Sequence, residues 1–572
     1  MRITKEQVQA GLKLIGLEFQ DPEIDQMMPS VNRALNSYER LRQIDVPYDT
    51  EPAFAFHPGL PDRTPIKGPQ RFETTIPARS TAKAPSDLEE LAFLQVTELA
   101  PLVRSRAVSS TDLTKMYLSR MKKYSPKLLC LITLTEELAL QQAAAADAEI
   151  KAGKYRGPLH GIPFGVKDLF DTKGIPTTWG AEPFEKRIPE YDATCVERLY
   201  RAGAVLIGKL SMGALAQGDL WFKGRTNSPW PSEAARAKGE YDRGSSGSSA
   251  GSASSTAAGL VGFALGTETL GSIVSPSTAC GTVGLRPTYG RVSRHGAMAI
   301  AWSMDKLGPM ARTADCCGLA LSVMAGHDPR DHDSLPPGLA EFPWPPSGPE
   351  RPLRIGRLTN AWTRLDAGLE SAIDEALKTL EKSGAKVTDA QLPDGPFEDA
   401  AELTILMEAA SSFQKLVHSG GCARLVDPLG QVNGYPSEMM TATDYLQVQR
   451  VRTILQRRID LLFDQFDVIA AAGSNSKAQR LVPAPRGANP PQKKGGDAAA
   501  PRPADNSQRA PDGISSLCGL PALSVPCGFS SDNLPYGLQF IARAANDAAV
   551  VLAARKFQSL TEWHKKHPGP WS

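Results

Sequence analysis

No stretch of the 572 residues approaches the roughly 20 consecutive apolar residues that a membrane helix needs, so no membrane span is expected. The opening, MRITKEQVQAG, lacks the apolar core of a secretory signal, and a cytoplasmic chain is expected. Excess charge is also missing. Lys and Arg total 64 and Asp and Glu total 62, a formal balance of +2, which gives neither nucleic acid nor an anionic membrane a reason to bind. Cysteine is sparse, with eight residues and no C-x-x-C pair. Neither a disulfide framework nor a zinc site is expected, and buried free thiols in a reducing compartment are the simpler reading. The eight histidines (His57, His160, His295, His327, His332, His418, His564 and His567) each lack a context that marks a general base, and read as loop or surface residues. A Ser-His-Asp triad therefore has no candidate.

The length allows one large domain with an appendage, or two to three domains, and 41% hydrophobic with 22% charged residues is ordinary for a globular chain. Residues 1–45 read as a helical hairpin. Thr4 and Gln7 have the form of a capping box, and Asp21 followed by Pro22 reads as an N-cap and first helical residue. Ile24, Met28, Val31, Leu35, Tyr38 and Leu41 then recur at helical steps. That stripe needs a partner: the body of the same protein, or else a second subunit. Residues 46–86 carry eight prolines with little periodicity and read as an extended tether.

The main domain is expected over 87–572, with helices over Leu88–Val103, Thr111–Tyr124 and Glu136–Ala152. Strands are expected at Leu128–Leu134, Ile162–Val166, Ala204–Ile207, Leu353–Arg357, Ala522–Val525 and Gly537–Ile541. Further helices read as Asp366–Ser383 and Asp547–Leu560. Strands alternating with helices predict an α/β fold, a β-sheet core flanked by helices, with the hairpin as an N-terminal helical appendage. The Pro-rich residues 328–352 and the Pro, Gly and Lys-rich insertion 474–513 read as long loops that supply pocket walls.

The most unusual composition is RGSSGSSAGSASSTAAG, Arg243 to Gly259. A Gly/Ser run usually marks a linker. This one leads straight into the apolar Val261–Leu265 and a second small-residue turn, GTETLGS, from Gly266 to Ser272, so it sits inside a folded unit. Gly247–Gly251 matches G-x-S-x-G, but the polar residues before it are not the strand a nucleophile elbow requires. Gly203–Lys209 begins like a P-loop, but its interior is strand-like and Leu210 replaces the Ser/Thr.

Three blocks carry a family resemblance: GPLHGIPFGVKDLFDTKGIPTTWG (Gly157–Gly180), the double-serine block from Gly247 to Gly296, and GLPALSVPCGF (Gly519–Phe529). In this order they resemble the amidase signature family, over roughly residues 88–330 and 514–560 and loosely across 353–473. Residues 1–50 resemble, more weakly, the small helical subunit that accompanies the amidase subunit of tRNA-dependent amidotransferases. The resemblance implies a mixed β-sheet covered by helices and a Ser–cis-Ser–Lys triad. Lys167 matches the family lysine, Ser248 the bridging serine held in a cis peptide, Ser272 the nucleophile, and Ser249 the second serine of the pair. Thr269, Leu270, Gly271 and Ser272 match the oxyanion loop, and Ser249 and Leu270 are expected to face substrate. Leu270 stands where a glycine is common and should narrow the pocket. Val274, Glu268 and Ala250 are further departures, and none removes a catalytic atom.

The chemistry accounts for these residue types. A serine hydroxyl needs a base, and a lysine with its free pKa of about 10.4 is neutral in well under one molecule in a thousand at pH 7. Burial without a carboxylate partner lowers that pKa by up to about 3–5 units. Lys167 ends an apolar strand, and alternation sends the carboxylate of Asp168 to the other face. The implied function is a hydrolase of a C–N amide-type bond in a small-molecule amide or carbamate, acting through an acyl-enzyme without metal or organic cofactor. Two alternatives are the ammonia-generating subunit of an amidotransferase, and a non-catalytic binding protein on the same fold. A homo-oligomer is left open.

Overall fold

The computed structural model describes residues 3–44, 85–345, 351–362, 365–427, 440–481 and 511–569. The proline-rich tether expected over 46–86 and the centre of the 474–513 insertion lie outside the described residues, apart from their ends.

Among the described residues, eleven strands form one mixed sheet. In chain order the strands are β1 (Leu131–Leu134), β2 (Pro163–Lys167), β3 (Val205–Leu210), β4 (Leu220–Trp221), β5 (Gly224–Arg225), β6 (Phe263–Glu268), β7 (Val283–Arg286), β8 (Lys306–Ala311), β9 (Arg354–Leu358), β10 (Lys386–Ala390), β11 (Val468–Ala472), β12 (Ala522–Phe529) and β13 (Pro535–Ile541). The order across the sheet is β1-β3-β2-β6-β8-β7-β12-β13-β11-β9-β10, with β4 and β5 forming a separate ribbon. β2 lies parallel to β3 on one side and to β6 on the other, while β8 runs antiparallel to β6. Every residue of β2, β3, β6 and β8 is buried, as expected of strands covered by helices on both faces. The edge strand β10 is partly exposed and carries Lys386 and Asp389, charges that discourage edge pairing.

The N-terminal hairpin forms as helices Lys5–Leu14 and Asp21–Arg42, with the Thr4/Gln7 capping box in place. Gln20, one residue earlier than expected, is the second N-cap, because Glu23 reaches back to its N–H. Ile24, Val31 and Leu41 are buried; Met27 takes the innermost place beside a partly buried Met28. The hairpin's partner is the body of the same chain. Ser37 donates to Asp399 at 3.0 Å, Arg40 pairs with the same carboxylate, and Leu41 joins a core shared with helices Phe397–Ser412 and Ala442–Asp460.

Two boundaries differ from expectation for local reasons. The helix Ser110–Leu128 runs on until Leu129 turns left-handed (φ 51°), so β1 starts three residues later than Leu128. The stretch from Leu88 splits into a 3-10 turn, Leu88–Phe93, and a helix, Val96–Ser105, because Gln95 and Glu98 form a new capping box. The Gly/Ser run is no linker: Ala250–Ala257 is a fully buried helix whose small side chains let it pack against β2, β3, β6 and β8.

Candidate active site

Lys167 is the last residue of β2 and is completely buried. Its Nζ donates to Ser248 Oγ at 2.8 Å, Thr267 Oγ1 at 2.8 Å, Ser249 Oγ at 3.2 Å and Thr267 O at 3.4 Å. All four partners are uncharged, and among the described residues no carboxylate lies within ion-pair distance of the amine. Burial therefore dominates its protonation and pushes its pKa down from 10.5 to about 7; the charges of Asp305 and Glu268 pull the other way by less. The carboxylate of the adjacent Asp168 points elsewhere, as strand alternation requires. It lies 3.3 Å from Lys209 Nζ and accepts from the Thr178 N–H and hydroxyl.

The turn before helix Ala250–Ala257 brings the paired serines to this lysine. The Gly247–Ser248 peptide is cis. Gly247 must be glycine, because a Cβ there would lie 1.8 Å from the carbonyl oxygen of Gly218. Ser249 has no exposed surface. Its hydroxyl donates to Thr267 O at 3.0 Å and accepts from Thr267 N at 3.1 Å, pinning the serine turn to the end of β6. The Ser249 N–H donates to Ser272 O at 3.1 Å, which brings Ser272 into the same cluster.

The loop Thr269–Ser272 leaves β6 over this cluster. Gly271 has φ 75°, a left-handed turn that suits glycine. The loop is tied down from behind: Glu268 Oε2 accepts from the N–H groups of Ile273 (2.8 Å) and Val274 (2.9 Å), and its other oxygen pairs with buried Arg286. Burial opposes the charge on Glu268, but Arg286, those two N–H groups and Lys306 more than offset it and hold the carboxylate below its usual range. Thr269 Oγ1 donates to Asp305 at 2.6 Å. Among the described residues, the N–H groups of Leu270, Gly271 and Ser272 donate to no protein acceptor, although Ser272 is only 8% exposed. They can therefore meet a negative charge beside the Ser272 side chain.

A cavity of about 130 Å³ opens at Ser272, with Leu270, Ile300, Ile405, Leu406 and Ala409 among its walls. Helix Phe397–Ser412 supplies the last three, in a region whose sequence pattern had given no site residue. A second cavity, about 330 Å³, shares Ala216, Thr269 and Ile300 with the first, and is lined further by Met298, Leu307, Trp302 and, from the 328–352 loop, Arg330–Asp333. A larger space, about 570 Å³, lies where the ends of β9 and β11 meet helix Ala367–Lys382 and touches none of these residues. Of the eight histidines, His295 and His332 line the second cavity, and His160 departs from the surface reading. It is buried, accepts from Arg156 N at 3.1 Å and faces Glu149, so it is a satisfied structural residue.

The amidase family profile matches residues 112–551. The chain belongs to the amidase signature family. It is a hydrolase of carbon–nitrogen bonds. A glutamyl-tRNA(Gln) amidotransferase subunit from Anaeromyxobacter sp. (strain K) is 36% identical over 502 residues, 82% of this chain and 96% of the relative. The peptide amidase of Stenotrophomonas maltophilia superposes with a TM-score of 0.67 at 26% identity, over 82% of this chain and 97% of that one. A 6-aminohexanoate cyclic dimer hydrolase, 22% identical with a TM-score of 0.71 over 84% of this chain and 100% of its own, shares the fold. Thr267, Glu268 and Asp305 are the site members that motif reading passed over or treated as a departure. The one available signal was a polar Thr-Glu-Thr at the end of an otherwise apolar strand.

Proposed function

We propose that this amidase hydrolyses a compact, uncharged amide through Ser272, Ser248 and Lys167. The observation that carries the proposal is the buried Lys167 amine, hydrogen-bonded at 2.8 Å to Ser248 and, among the described residues, with no carboxylate in ion-pair distance. Neutral Lys167 takes the Ser248 proton as Ser248 takes that of Ser272, and Ser272 Oγ attacks the carbonyl carbon. The negative oxygen that forms is met by N–H groups of the Thr269–Ser272 loop, each worth about 10²–10³ in rate in comparable sites. The proton then returns through Ser248 to the leaving nitrogen, the C–N bond breaks, and water attacks the Ser272 ester to release the acid. Ser249 holds the lysine and the end of β6 in place, and Leu270 walls the substrate cavity. None of these steps calls on a metal or an organic cofactor.

The uncharged substrate follows from the walls. Among the described residues, the cavity at Ser272 is lined by no charged side chain. In the neighbouring cavity Arg294 is paired with Asp331 and Asp333, and Arg330 with Glu197 and Asp328. The α-carboxylate of free glutamine would find no unpaired Arg or Lys there, and Asp305, a lining carboxylate without an ion pair, already accepts from the Thr269 hydroxyl and the Ile300 and Ala301 N–H groups. A second reading, the ammonia-supplying subunit of an amidotransferase, is favoured by the 36% identity to such subunits over nearly their whole length.

A fluorophosphonate probe should label Ser272, and Ser272→Ala should lose both labelling and amide turnover. Turnover surviving in that variant refutes the assignment. Parallel assays on glutamine and on small uncharged aliphatic and aryl amides separate the two readings. Efficient release of ammonia from glutamine, with the uncharged amides inert, would favour the amidotransferase reading.

A further inference from the structure

An oxyanion site made of backbone N–H groups works only if their peptide planes are turned the right way. In a trans peptide the C=O and the following N–H point in opposite directions, so whatever holds a carbonyl behind the loop aims the next N–H at the front. The Gly271 carbonyl accepts from the Ser275 N–H at 2.8 Å, which presents the Ser272 N–H on the opposite side. The Thr269 carbonyl has a different holder: Lys306 Nζ, 3.4 Å away, which also donates to the Ser516 carbonyl at 3.2 Å. The N–H of the same peptide unit belongs to Leu270, and it donates to no protein group among the described residues.

Packing alone does not account for Lys306. It opens β8, is 2% exposed, and has no carboxylate within ion-pair distance among the described residues. Burial and the neighbouring Arg286 charge hold the Lys306 amine well below its usual range, and even an uncharged buried amine costs more than an apolar side chain, so a methionine of the same length would fill the space without that cost. Its neighbour Asp305 holds the same threonine by the side chain. Asp305 Oδ1 accepts from Thr269 Oγ1 at 2.6 Å, while Oδ2 accepts from the N–H groups of Ile300 (3.0 Å) and Ala301 (3.2 Å). Thr269 is thus gripped at its hydroxyl and at its carbonyl by two consecutive residues, which removes the freedom of the Thr269–Leu270 peptide to rotate.

We infer that Lys306 is a positioning residue for hydrolysis: by holding the Thr269 carbonyl it turns the Leu270 N–H toward the oxygen of the tetrahedral intermediate. The inference rests on the reading of Ser272 as nucleophile. It accounts for the tolerance of Leu270 at a position where glycine is common: the N–H is aimed from behind, by a side chain on another strand, and does not depend on a glycine's freedom.

Lys306→Met tests it, with kcat, KM, melting temperature and the affinity of a substrate-like boronic acid as readouts. The variant should fold with an undiminished melting temperature and KM within about twofold. It should lose roughly 10- to 100-fold in kcat, part of the 10²–10³ that one donor is worth, and a matching factor in boronate affinity. Lys306→Gln, whose amide can still donate, should recover part of both. A folded Lys306→Met with wild-type kcat and boronate affinity overturns the inference, as does a kcat loss with boronate affinity unchanged. Should neither variant fold, a crystal structure of the wild-type fluorophosphonate adduct decides: the phosphonyl oxygen should lie ~2.7–3.1 Å from Leu270 N, and a Leu270 N–H turned away refutes the idea. Failure of the wild type to label at Ser272 would instead refute the underlying reading.

Discussion

The protonation of Lys167 makes a quantitative prediction. With its pKa pushed down to about 7 by burial, the neutral fraction is about one half at pH 7, roughly 10% at pH 6 and roughly 1% at pH 5. An unperturbed lysine at pKa 10.5 would be neutral in only about 0.03% of molecules at pH 7, so burial raises the working form on the order of a thousandfold. The second-order rate of fluorophosphonate labelling, which reports base-assisted attack without a product-release step, should fall about tenfold per unit below pH 6 and level off above pH 8. Asp512 is also pushed to about 7, by burial and by the Glu268 charge, and its carboxylate lies near Gly271. The Asp512→Asn variant separates the two: the acid limb should persist with its midpoint near 7. A rate that climbs without a plateau to pH 10, or a limb that vanishes in Asp512→Asn, would refute the assignment of Lys167 as the base. The same shift sets a stability window. The folded pKa lies below the unfolded one, so between about pH 7 and 10.5 the unfolded chain holds a proton that the folded chain has released. Lys167 therefore makes the fold more stable as pH rises through that window, by about 5 kcal/mol at most, and contributes no further slope below it.

Three other substitutions probe separate parts of the site. Glu268→Gln breaks its buried pairing with Arg286 and should cost about 3–5 kcal/mol in denaturant unfolding, with kcat lowered as the Thr269–Ser272 loop loosens. Lys209→Met leaves Asp168, the residue next to the base, as an unpaired buried carboxylate; a loss of about 3–5 kcal/mol and an upward move of the labelling midpoint are expected by the same assays. Leu270→Gly removes a wall of the 130 Å³ cavity and should lower KM for bulkier amides at least as much as for compact ones, while a uniform loss of kcat on all amides would show that Leu270 has no part in selectivity.

The elements nearest the chemistry were the most legible in the sequence. β2 reads as an apolar run ending in Lys167, and the small-residue helix Ala250–Ala257 reads as folded because apolar residues follow it directly. The helix Asp547–Leu560 and the strands β12 and β13 also follow their patterns. What the sequence could not disclose is long-range pairing. Thr267 reaches Lys167 only because β6 lies parallel beside β2, and Ile405 and Leu406 reach the Ser272 cavity from a helix far downstream. Asp305 and Lys306 belong to none of the three motif blocks and carry no local signal. Their roles appear only when β8 runs antiparallel to β6 and sets Lys306 opposite Glu268, immediately beneath the loop.

The same pairing explains how an amine can stay neutral in a region with four buried carboxylates. Asp168 is taken by Lys209 and Thr178, Glu268 by Arg286 and two backbone N–H groups, Asp305 by Thr269 and two more, and Asp512 by Gln539 at 2.7 Å. Each is bound to a donor other than Lys167, which is left with hydroxyls and one carbonyl. A single carboxylate turned to the lysine would restore the charge that burial removes, since an opposite charge at contact favours the ionised form by about one to three pKa units, close to the size of the shift itself. The donors that occupy those carboxylates are thus as necessary to the base as the serines it touches. They lie on β3, β7 and β13, in the loop after β2, after the end of β6 and in the turn before β8, so a working lysine requires the central sheet to be assembled with its register intact.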